Sequence, residues 1–343
     1  MTVTAPATER AAALERIVER LRHAKRVVLT THVNADGDGT GSEVATACWL
    51  AAIGAQPTII NPTPFPATFA FLLEAKGAEK VRVADVGTPE ADAALNGVDV
   101  VLVLDTGEPA RIGKVARALS HADVLVVDHH PPGPDPIRAS ADVRDTTACA
   151  TGELVYDLLT LDRSYRSWPA AVTQALYTAI ATDTGSFRFS NTTPRTHEIV
   201  GDLIRRGVDP EEMYGRLYAV PFRRTLLLRE ALETLEYDAD ARIASITIPE
   251  GSMERLGVGP EDLDGIIEHA RSIEGTEVAL LFRQTGGSTK VSLRSNGATD
   301  VNAIARAFGG GGHVKAAGAL IGGPMERNRS RVLDAVRQAV RRS

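Results

Sequence analysis

The chain has few of the features that stabilise secreted and membrane proteins. It contains only two cysteines, Cys48 and Cys149, in 343 residues. Two cysteines cannot form a disulfide framework, and this pair forms neither a zinc ribbon nor a Cys-x-x-Cys redox motif. No apolar run approaches the ~20 residues that span a membrane, and the polar N-terminus lacks the apolar core of a signal peptide. The sequence therefore predicts a cytoplasmic protein with no membrane partner.

The chain also lacks an excess of basic charge. Its 38 lysines and arginines are outnumbered by 44 acidic residues, which gives a net charge of -6. This balance excludes the strongly basic field that long duplex nucleic acid requires, so any contact with nucleic acid must be local. The 43% hydrophobic content excludes a disordered or fibrous chain. The length suits about two domains at ~100–200 residues each.

Short apolar runs alternate with helix-like segments in the first half of the chain. The segment 8–23 has helical spacing, 43–54 is also helix-like, and buried strands are expected at 26–31, 57–61, 98–105 and 123–128. This alternation predicts an α/β fold with a doubly wound parallel sheet. We expect a larger N-terminal domain at 1–205, a helical linker at 206–240, and a smaller C-terminal α/β domain at 241–343.

Acidic residues and histidines follow the predicted strands. In open α/β sheets the chemistry lies just beyond the carboxyl ends of the strands. The residues at these ends, and after a later helical run, are His32, Asp36 and Asp38, then Asp105, then Asp128, His129 and His130, and finally Asp183. A single aspartate after a strand is usually a capping or turn residue. Four coincident endings instead predict a shared acidic crevice.

Such a crevice calls for cations, because neighbouring like charges raise one another's pKa unless they are neutralised. Two divalent ions would balance four aspartates, Asp36, Asp38, Asp105 and Asp183, and would leave His32 and His129 as neutral ligands. Mixed imidazole and carboxylate ligands favour Mn²⁺, with Mg²⁺, Co²⁺ and Fe²⁺ as open alternatives. A zinc–thiolate site is excluded.

The glycines after the first strand suggest a tight turn. We expect Gly37, Gly39 and Gly41 to bend the backbone so that Asp36 and Asp38 face different ions. Ser42 and Glu43 would then begin a helix, and the free amides at its N-terminus would face a bound anion.

A second glycine cluster, 309–312, precedes His313. It is too dense for a helix interior, where each glycine costs ~1 kcal/mol relative to alanine. It is either a flexible loop that ends a helix at 300–308 or a backbone that approaches a phosphate or sugar closely. In the second case the candidate substrate-binding residues are Gly310, Gly311, Gly312, His313, Arg294 and Ser295. Arg111 either contacts substrate as well or forms a surface ion pair.

These residues lie in motifs that resemble a known family. The segments HVNADGDGTGS, LDTGEPARIG, VVDHHPPG and ATDTGSFRFSNTT resemble the four motifs of the DHH phosphoesterases. The segment VSLRSNGATDVNAIARAFGGGGHVKAAGA resembles the glycine-rich signature of the DHH-associated substrate-binding domain. The five motifs occur in order over roughly 20–325. One departure is Ala35, where the family often has proline, and it alters the stiffness of the turn rather than the ligands.

The resemblance implies a role for each candidate residue. His32 and Asp36 would bind a first ion, Asp38, His129 and Asp183 a second, and Asp105 would bridge the two. Asp128 would orient a histidine. His130 would either reach the scissile phosphate as a general acid or an electrostatic clamp, or have a purely structural role.

Within the family, the chain is most similar to the bacterial NrnA-type oligoribonucleases. This similarity implies a Mn²⁺-dependent exonuclease that degrades short RNA to mononucleotides and also converts 3′-phosphoadenosine 5′-phosphate (PAP) to AMP. A water activated by two metal ions would be the nucleophile. The substrate would lie in the cleft between the domains, with the linker as a hinge. The resemblance also implies a homodimer, which no surface stripe in the sequence indicates.

Three alternatives remain open from the sequence. Related DHH enzymes include pyrophosphatases and exopolyphosphatases, although Arg294, Ser295 and the glycine cluster favour a nucleotide. Hydrolysis of linear or cyclic diadenylate is a variant of the same chemistry. A catalytically silent nucleotide sensor is the alternative outside the enzymes.

Overall fold

The computed structural model describes residues 3–342, except the side chain of Glu261. Residues 1, 2 and 343 of the predicted domains lie outside this range. The chain divides into two compact units, an N-terminal one that ends at Ala219 and a C-terminal one that begins at Val220. Within the range 3–342, none of the helices combines the length and the apolar character needed to cross a membrane.

The N-terminal unit is built on a six-stranded parallel sheet. Its strands are β1 Arg26–Thr30, β2 Gln56–Ile59, β3 Arg82–Val83, β4 Val100–Leu104, β5 Asp123–Asp128 and β6 Ala141–Arg144. The order across the sheet is β3-β2-β1-β4-β5-β6, with every neighbouring pair parallel. The chain starts at the centre and winds outward in both directions, so the predicted doubly wound α/β sheet is confirmed.

Helices cover both faces of this sheet. They are α1 Thr8–His23, α2 Gly37–Ala52, α3 Phe71–Glu74, α4 Pro89–Asn96, α5 Thr151–Leu161, α6 Ala170–Asp183, α7 Pro194–Arg205 and α8 Pro210–Tyr218, with 3₁₀ helices at Ala67–Phe69 and Pro109–Ser120. Leu102 and Leu104 of β4 face a core shared with α1, α2, α5 and α6. Val101 and Val103 face a second core with α4 and the longer 3₁₀ helix. Because both faces are buried, β4 is apolar throughout.

The helix after β1 begins earlier than the sequence predicted. Asp36 caps α2 by accepting hydrogen bonds from the amides of Asp38 and Gly39, so Ser42 and Glu43 lie one turn inside the helix. A Cβ on Gly37 would lie 2.4 Å from Oγ1 of Thr182 in α6. The expected bend was therefore wrong: these glycines are helical and allow α2 to pack closely against its neighbours.

The segment 206–240 does not form a separate linker. Met213 and Leu217 of α8 are buried in the core of the N-terminal unit. Leu227 and Ala231 of the following helix are buried in a core of the C-terminal unit. The helical segment is therefore divided between the two units, because each half has its own apolar face to bury.

A buried network of ions anchors α1 to α5. Arg10 donates hydrogen bonds to Asp145 at 2.7 Å and to Glu153 at 2.6 Å. It also reaches Asp157 at 3.2 Å. Arg195 of α7 donates to the same Glu153 at 3.2 Å and to Asp157. Two guanidinium groups thus face three carboxylates beneath the helices.

The C-terminal unit contains a second, mixed sheet. Its elements are α9 Phe222–Leu232, β7 Glu236–Asp238, β8 Ile243–Thr247, α10 Ser252–Leu256, α11 Ile266–Arg271, β9 Val278–Thr285, β10 Ser288–Ser295, α12 Val301–Ala307, β11 Gly311–His313, β12 Ala316–Gly322 and α13 Met325–Val340, with a 3₁₀ helix at Pro260–Leu263. The strand order is β11-β12-β10-β9-β8-β7. Only β8 and β9 run parallel.

The two faces of this sheet are covered differently. Val291 and Leu293 of β10 pack with α12 and α13 on one face. On the other face, α9, α10 and α11 cover β8 and β9. The part of that face formed by β10 and β12 is more open, and Leu320 of β12 is 60% exposed.

Candidate metal centre

The predicted site residues of the N-terminal unit lie at the carboxyl edge of the parallel sheet. His32 follows β1, Asp105 follows β4, and Asp128 ends β5 just before His129 and His130. Asp36 and Asp38 lie at the start of α2, and Asp183 is the last residue of α6. Since the carboxyl ends of parallel strands share one edge, the topology brings these residues together.

Seven of the residues form three groups of potential ligands. The groups are His32, Asp36 and Asp105; Asp38, His129 and Asp183; and Asp105, His129 and His130. Within each group the ligand atoms lie within 4.8 Å of one another.

Asp105 belongs to the first and third of these groups. Its Oδ2 is 3.4 Å from Nε2 of His32, and its Oδ1 is 3.6 Å from Nε2 of His129. Asp105 adopts a left-handed backbone conformation with φ of 61°, and its amide donates to the carbonyl of Val127 at 3.0 Å. Non-glycine residues adopt this conformation at a cost, and such residues cluster at functional sites. The backbone thus aims this carboxylate at both histidines.

Both histidines present Nε2 to the carboxylates. Nδ1 of His32 donates to the carbonyl of Val33 at 2.9 Å, and Nδ1 of His129 lies 3.4 Å from the carbonyl of Ala148. Because a carbonyl only accepts, this arrangement assigns the Nδ1 proton and frees the Nε2 lone pair for a metal.

The carboxylates perturb one another strongly. Burial, together with the charges of Asp105, Asp183 and Asp36, raises the pKa of Asp38 well above its usual range. Burial also raises the pKa of Asp183, helped by Asp105 and Asp36 and opposed by the histidines. Burial lowers the pKa of His32, but hydrogen bonds to Asp105 and Asp36 outweigh it and raise that pKa to about 10. The site therefore favours positive charge at its centre.

The donor set fits divalent cations. Nε2 of His129 is buried without a hydrogen-bond partner among the described residues, although it lies 3.6–3.7 Å from oxygens of Asp38, Asp105 and Asp183. An unpaired buried nitrogen that faces three carboxylates is explained by a shared cation. Imidazole and carboxylate ligands without thiolate suit Mn²⁺ and related ions rather than a thiolate-bound zinc.

Sequence reasoning missed the N-terminus of α5. The amides of Thr151 and Gly152 donate to the carboxylate of Asp38 at 2.6 and 2.8 Å. The Thr151 hydroxyl donates to Oδ1 of Asp105 at 3.0 Å. The available signal was the start of a helical pattern at Thr151, because helix N-termini bind anionic groups.

Asn191 was missed as well. Its Nδ2 donates to Oδ2 of Asp183 at 3.1 Å and to the carbonyl of Cys149 at 2.8 Å. The residue lies in the fourth motif, and its position in that motif was the available signal. Asn191 therefore holds the orientation of the Asp183 carboxylate.

Asp128 orients His130. Its Oδ1 lies 2.9 Å from Nδ1 of His130 and accepts from the His130 amide at 3.1 Å. The hydrogen bond with Asp128 raises the pKa of His130, against the effect of burial and with help from the charge of Asp105. The His130 side chain is 41% exposed. The imidazole is thus held from one side and open to solvent on the other.

Arg111 lies close to this edge. Its carbonyl accepts from the amide of Val33 at 2.8 Å, and its charge lowers the pKa of His130. Over residues 3–342, Arg111 forms no ion pair within 4.0 Å. The structure therefore gives no support to the surface ion pair that the sequence left open.

The C-terminal unit brings Arg294 and His313 to one face of its sheet. Arg294 pairs with Ala316, and Ala316 pairs with His313. Residues paired directly across strands point to the same face. Ser295 is buried and its hydroxyl donates to the carbonyl of Gly297 at 3.4 Å, so the structure does not bring the Ser295 side chain together with Arg294.

Two of the clustered glycines are required for packing within the protein, because a side chain at either position would clash with β12. A Cβ on Gly310 would lie 2.1 Å from the carbonyl oxygen of Gly318, and one on Gly312 would lie 2.5 Å from that of Ala316. Gly311 has open space around it apart from Asn302 at 4.0 Å. Gly311 and Gly312 lie in the edge strand β11, and Gly310 and Gly312 pack closely on β12, so this part of the cluster is not a flexible loop.

Comparison with protein families and known proteins identifies relatives of the chain. Residues 26–181 match the DHH family, N-terminal domain, and residues 244–342 match the DHHA1 domain. The chain is 31% identical over 318 residues to the bifunctional oligoribonuclease and PAP phosphatase NrnA of Thermus thermophilus, covering 92% of this chain and 91% of that protein. It is 29% identical over 249 residues to the protein of that name from Bacillus subtilis, covering 69% and 78% respectively.

A solved structure has the same fold. An exopolyphosphatase-related protein from Bacteroides fragilis superposes with a TM-score of 0.82 at 24% identity and covers 96% of each chain. The two family matches fall in the two units of the structure, and the acidic and histidine motifs lie in the first of them. The resemblance seen in the sequence is thus confirmed: the chain belongs to the DHH family of phosphoesterases and is a metal-dependent hydrolase.

Proposed function

We propose that this chain is an exoribonuclease that degrades short RNA to mononucleotides and also dephosphorylates PAP to AMP. The observation that carries the proposal is the set of ligand groups in which Asp105 lies close to both His32 and His129. The relatives from Thermus thermophilus and Bacillus subtilis are named for both activities. Since short RNA arises inside the cell, this substrate also agrees with a cytoplasmic location. The homodimer implied by the resemblance stays a prediction.

We assign His32 and Asp36 to a first metal ion, and Asp38, His129 and Asp183 to a second. Asp105, with one oxygen near each histidine, would bridge the two. The mixture of imidazole and carboxylate donors favours Mn²⁺ as the ion at both positions.

Two divalent ions, when bound, supply Lewis-acid stabilisation of the phosphate and lower the pKa of an attacking water. The residues of the chain supply orientation and a proton. The α5 amides hold Asp38, and Thr151 and Asn191 hold the carboxylates of Asp105 and Asp183.

His130 is the proton donor in this proposal. Asp128 accepts from Nδ1, so in the imidazolium form, which the raised pKa of His130 favours, the Nε2–H is free to donate to the leaving oxygen or to a phosphate oxygen. Hydrolysis then needs no covalent enzyme intermediate. Arg111 adds positive charge next to His130, which suits a phosphate group.

We further propose that the C-terminal unit binds the nucleotide through Arg294 and His313, with the backbone of Gly310 and of Gly311 and Gly312 in β11 beside them. A guanidinium forms charge-assisted hydrogen bonds to phosphate, and an imidazole can stack on a base. Replacing Arg294 with alanine should mainly raise KM, because the arginine binds substrate without contacting the reacting atoms. Unchanged kinetics would remove Arg294 from the site.

The test is a time course on three substrates: a 5′-labelled RNA dinucleotide, an RNA 24-mer and PAP. Each is incubated with Mn²⁺, with Mg²⁺ and after chelation. We expect fast metal-dependent loss of the dinucleotide and of PAP, with the 24-mer nearly untouched. Inorganic pyrophosphate and linear diadenylate serve as competing substrates.

Each other outcome of this assay favours a different function. Efficient degradation of the 24-mer would indicate an exonuclease that acts on long strands. Preferred cleavage of pyrophosphate or of diadenylate would overturn the proposed substrate in favour of the one cleaved. Tight binding of a dinucleotide without cleavage of any substrate would indicate a sensor.

A further inference from the structure

The open part of the C-terminal sheet carries a row of polar and basic side chains. Along β10, alternate residues Lys290, Ser292 and Arg294 point to this face, while Val291 and Leu293 between them are buried on the other. The neighbouring strand β12 contributes Ala316, Gly318 and Leu320 to the same face, paired with Arg294, Ser292 and Lys290 respectively. Ala316 and Gly318, opposite Arg294 and Ser292, are small, whereas Leu320 lies exposed opposite Lys290.

Arg283 of β9 extends the row sideways. It pairs directly with Lys290 across the antiparallel strands, so two cations lie side by side on one face. Like charges directly opposite each other in a sheet are destabilising. Over residues 3–342, neither Arg283 nor Lys290 forms an ion pair within 4.0 Å, and the polar contact of the Arg283 guanidinium is with Sδ of Met253 at 3.9 Å. The pair is thus basic and uncompensated.

A cavity of about 160 Å³ opens between this row and the segment that leads into α11. Its lining includes Arg283, Lys290, Ser292 and Arg294 together with Leu281 and Asp264. Three cations and a hydroxyl face the carboxylate of Asp264, and Nε of Arg294 also lies 3.8 Å from Oε1 of Glu268. The net charge stays positive and favours an anion. Arginine binds phosphate through paired N–H donors, and lysine binds it as a point charge. The cavity therefore has the chemistry of a phosphate site.

The cavity is continuous with the residues already proposed to bind the nucleotide. Arg294 lines it, and Arg294 shares its face with His313 through Ala316. A strand rises about 3.3 Å per residue, so Lys290 lies about 13 Å along β10 from Arg294. The row thus extends from the nucleotide residues over more than the length of one phosphate group.

We propose that Arg283 and Lys290 form a second phosphate subsite, which binds the phosphodiester backbone of an RNA substrate longer than a dinucleotide. The inference rests on the proposed function, because it takes the bound anion to be part of the RNA that Arg294 contacts. A dinucleotide is too short to use both positions. The subsite therefore sets the dependence of affinity on chain length and does not take part in the reaction.

The experiment compares a pentanucleotide with a dinucleotide as substrates of the full chain. The variants are Arg283→Gln/Lys290→Gln, Lys290→Gln alone, and Arg327→Gln on the exposed surface of α13, a control that loses one charge as Lys290→Gln does. The double variant should raise KM for the pentanucleotide about tenfold, as expected for the loss of a backbone charge pair. Its kcat and its KM for the dinucleotide should stay within about twofold of wild type, as should all values for the control.

A second readout uses the salt dependence of binding. Fluorescence anisotropy with a labelled pentanucleotide in the presence of chelator measures affinity without turnover. Loss of two phosphate contacts to a single strand should reduce the slope of log K against log salt by about 1.4. The single variant Lys290→Gln should reduce it by about half that amount, and since Lys290 is exposed, this change leaves the fold intact.

Two results would overturn the subsite. One is an equal loss for both substrates, and the other is an unchanged pentanucleotide KM and salt slope in the folded variants. Failure of the proposed function would look different, because wild type would then cleave neither RNA. In that case the anisotropy measurement still decides, since equal pentanucleotide affinity in wild type and the double variant removes the subsite.

Discussion

Two clusters of buried charge in the N-terminal unit show opposite solutions to the same problem. Beneath α1, three carboxylates, Asp145, Glu153 and Asp157, are hydrogen-bonded to the guanidinium groups of Arg10 and Arg195. At the edge of the sheet, four aspartates face two histidines, and no arginine or lysine within the range 3–342 forms an ion pair with any of the four. The first cluster contains two guanidinium groups, which are always charged, whereas the second contains only imidazoles as its own potential cations.

The difference separates structural charge from functional charge. A buried carboxylate that is paired with a guanidinium already has its charge compensated and does not need a bound cation. Carboxylates that raise one another's pKa repel one another when ionised, and a bound cation removes this unfavourable free energy. The missing positive charge is therefore the best single indication of where the metal ions belong, and the following variants test that comparison.

The largest effect is expected from Asp105→Asn in the uncompensated cluster. Asparagine tolerates the left-handed backbone of this position, so the fold should be retained. Hydrolysis should fall at least about a thousandfold, since bound metal contributes several kcal/mol to the transition state. The metal-free variant should also unfold at a higher temperature than metal-free wild type, because one repelling charge is gone.

Activity assays and thermal unfolding with chelator measure both effects. Asp85→Asn, an exposed aspartate of the same unit, is the matched control. Near-normal activity of Asp105→Asn with reduced metal content would contradict the shared ligand.

The compensated cluster should respond in the opposite way when its cation is removed. Arg10→Met leaves Glu153 and Asp157 with one guanidinium instead of two. Breaking a buried pair by removing one partner costs about 3–5 kcal/mol in the free energy of unfolding. Urea unfolding measures the loss, and Arg16→Met on the exposed side of α1 should change stability by less than about 0.5 kcal/mol. Equal stability of the two variants would mean that the network contributes nothing.

Asp162 offers a buried carboxylate satisfied mostly by neutral donors. It accepts from Nε1 of Trp49 at 2.8 Å, from the amide and hydroxyl of Ser164 at 3.0 and 2.5 Å, and from Arg22. Burial alone would raise its pKa, but these hydrogen bonds lower it from 3.8 to about 2. Asp162→Asn should therefore cost about 2 kcal/mol at neutral pH.

The pH dependence of the stability difference between wild type and Asp162→Asn tests the direction of this pKa shift. A carboxyl with a lowered pKa stabilises the fold above its unfolded pKa and loses that contribution as the pH falls through the folded value. The stability difference between wild type and Asp162→Asn should thus be constant above about pH 5 and shrink towards pH 2. A difference that grows on acidification would refute the assignment.

The smallest effect is expected from the groups that orient the ligands. Thr151→Val removes the hydroxyl that donates to Asp105, and partners of metal ligands typically contribute 10–100-fold to metal affinity. We expect a loss at the low end, about tenfold, in Mn²⁺ affinity measured by calorimetry. Thr151→Ser should restore it, and Thr160→Val at the exposed end of the same helix should leave it unchanged. Weakened binding in both valine variants would indicate damage to α5 instead.

The metal cluster was predictable because local sequence and topology agree there. Asp105 and His129 each follow an apolar run, and the carboxyl ends of parallel strands meet at one edge of the sheet. The resemblance in motif order then paired these residues with Asp36, Asp38 and Asp183. Nothing beyond the strand pattern and the motifs was needed to place them close together.

The prediction for the glycines failed for a physical reason. Gly37 and Gly39 look like turn residues in the sequence, yet they lie in α2, where Gly37 meets Thr182 and Gly39 meets Thr31. A glycine required by close packing of distant elements cannot be distinguished locally from one required by a turn. The same holds for Gly310 and Gly312, which face the backbone of β12.

The sequence by itself determined the parallel sheet, the two-domain family and the residues at the strand ends, because periodicity and the order of motifs are properties of the linear chain. Only the tertiary structure decided that the amides of α5 hold Asp38 and that Asn191 holds Asp183. Each of these contacts joins segments whose register and approach depend on packing. Local sequence carries no record of which distant backbone donor or neighbouring strand a side chain will meet.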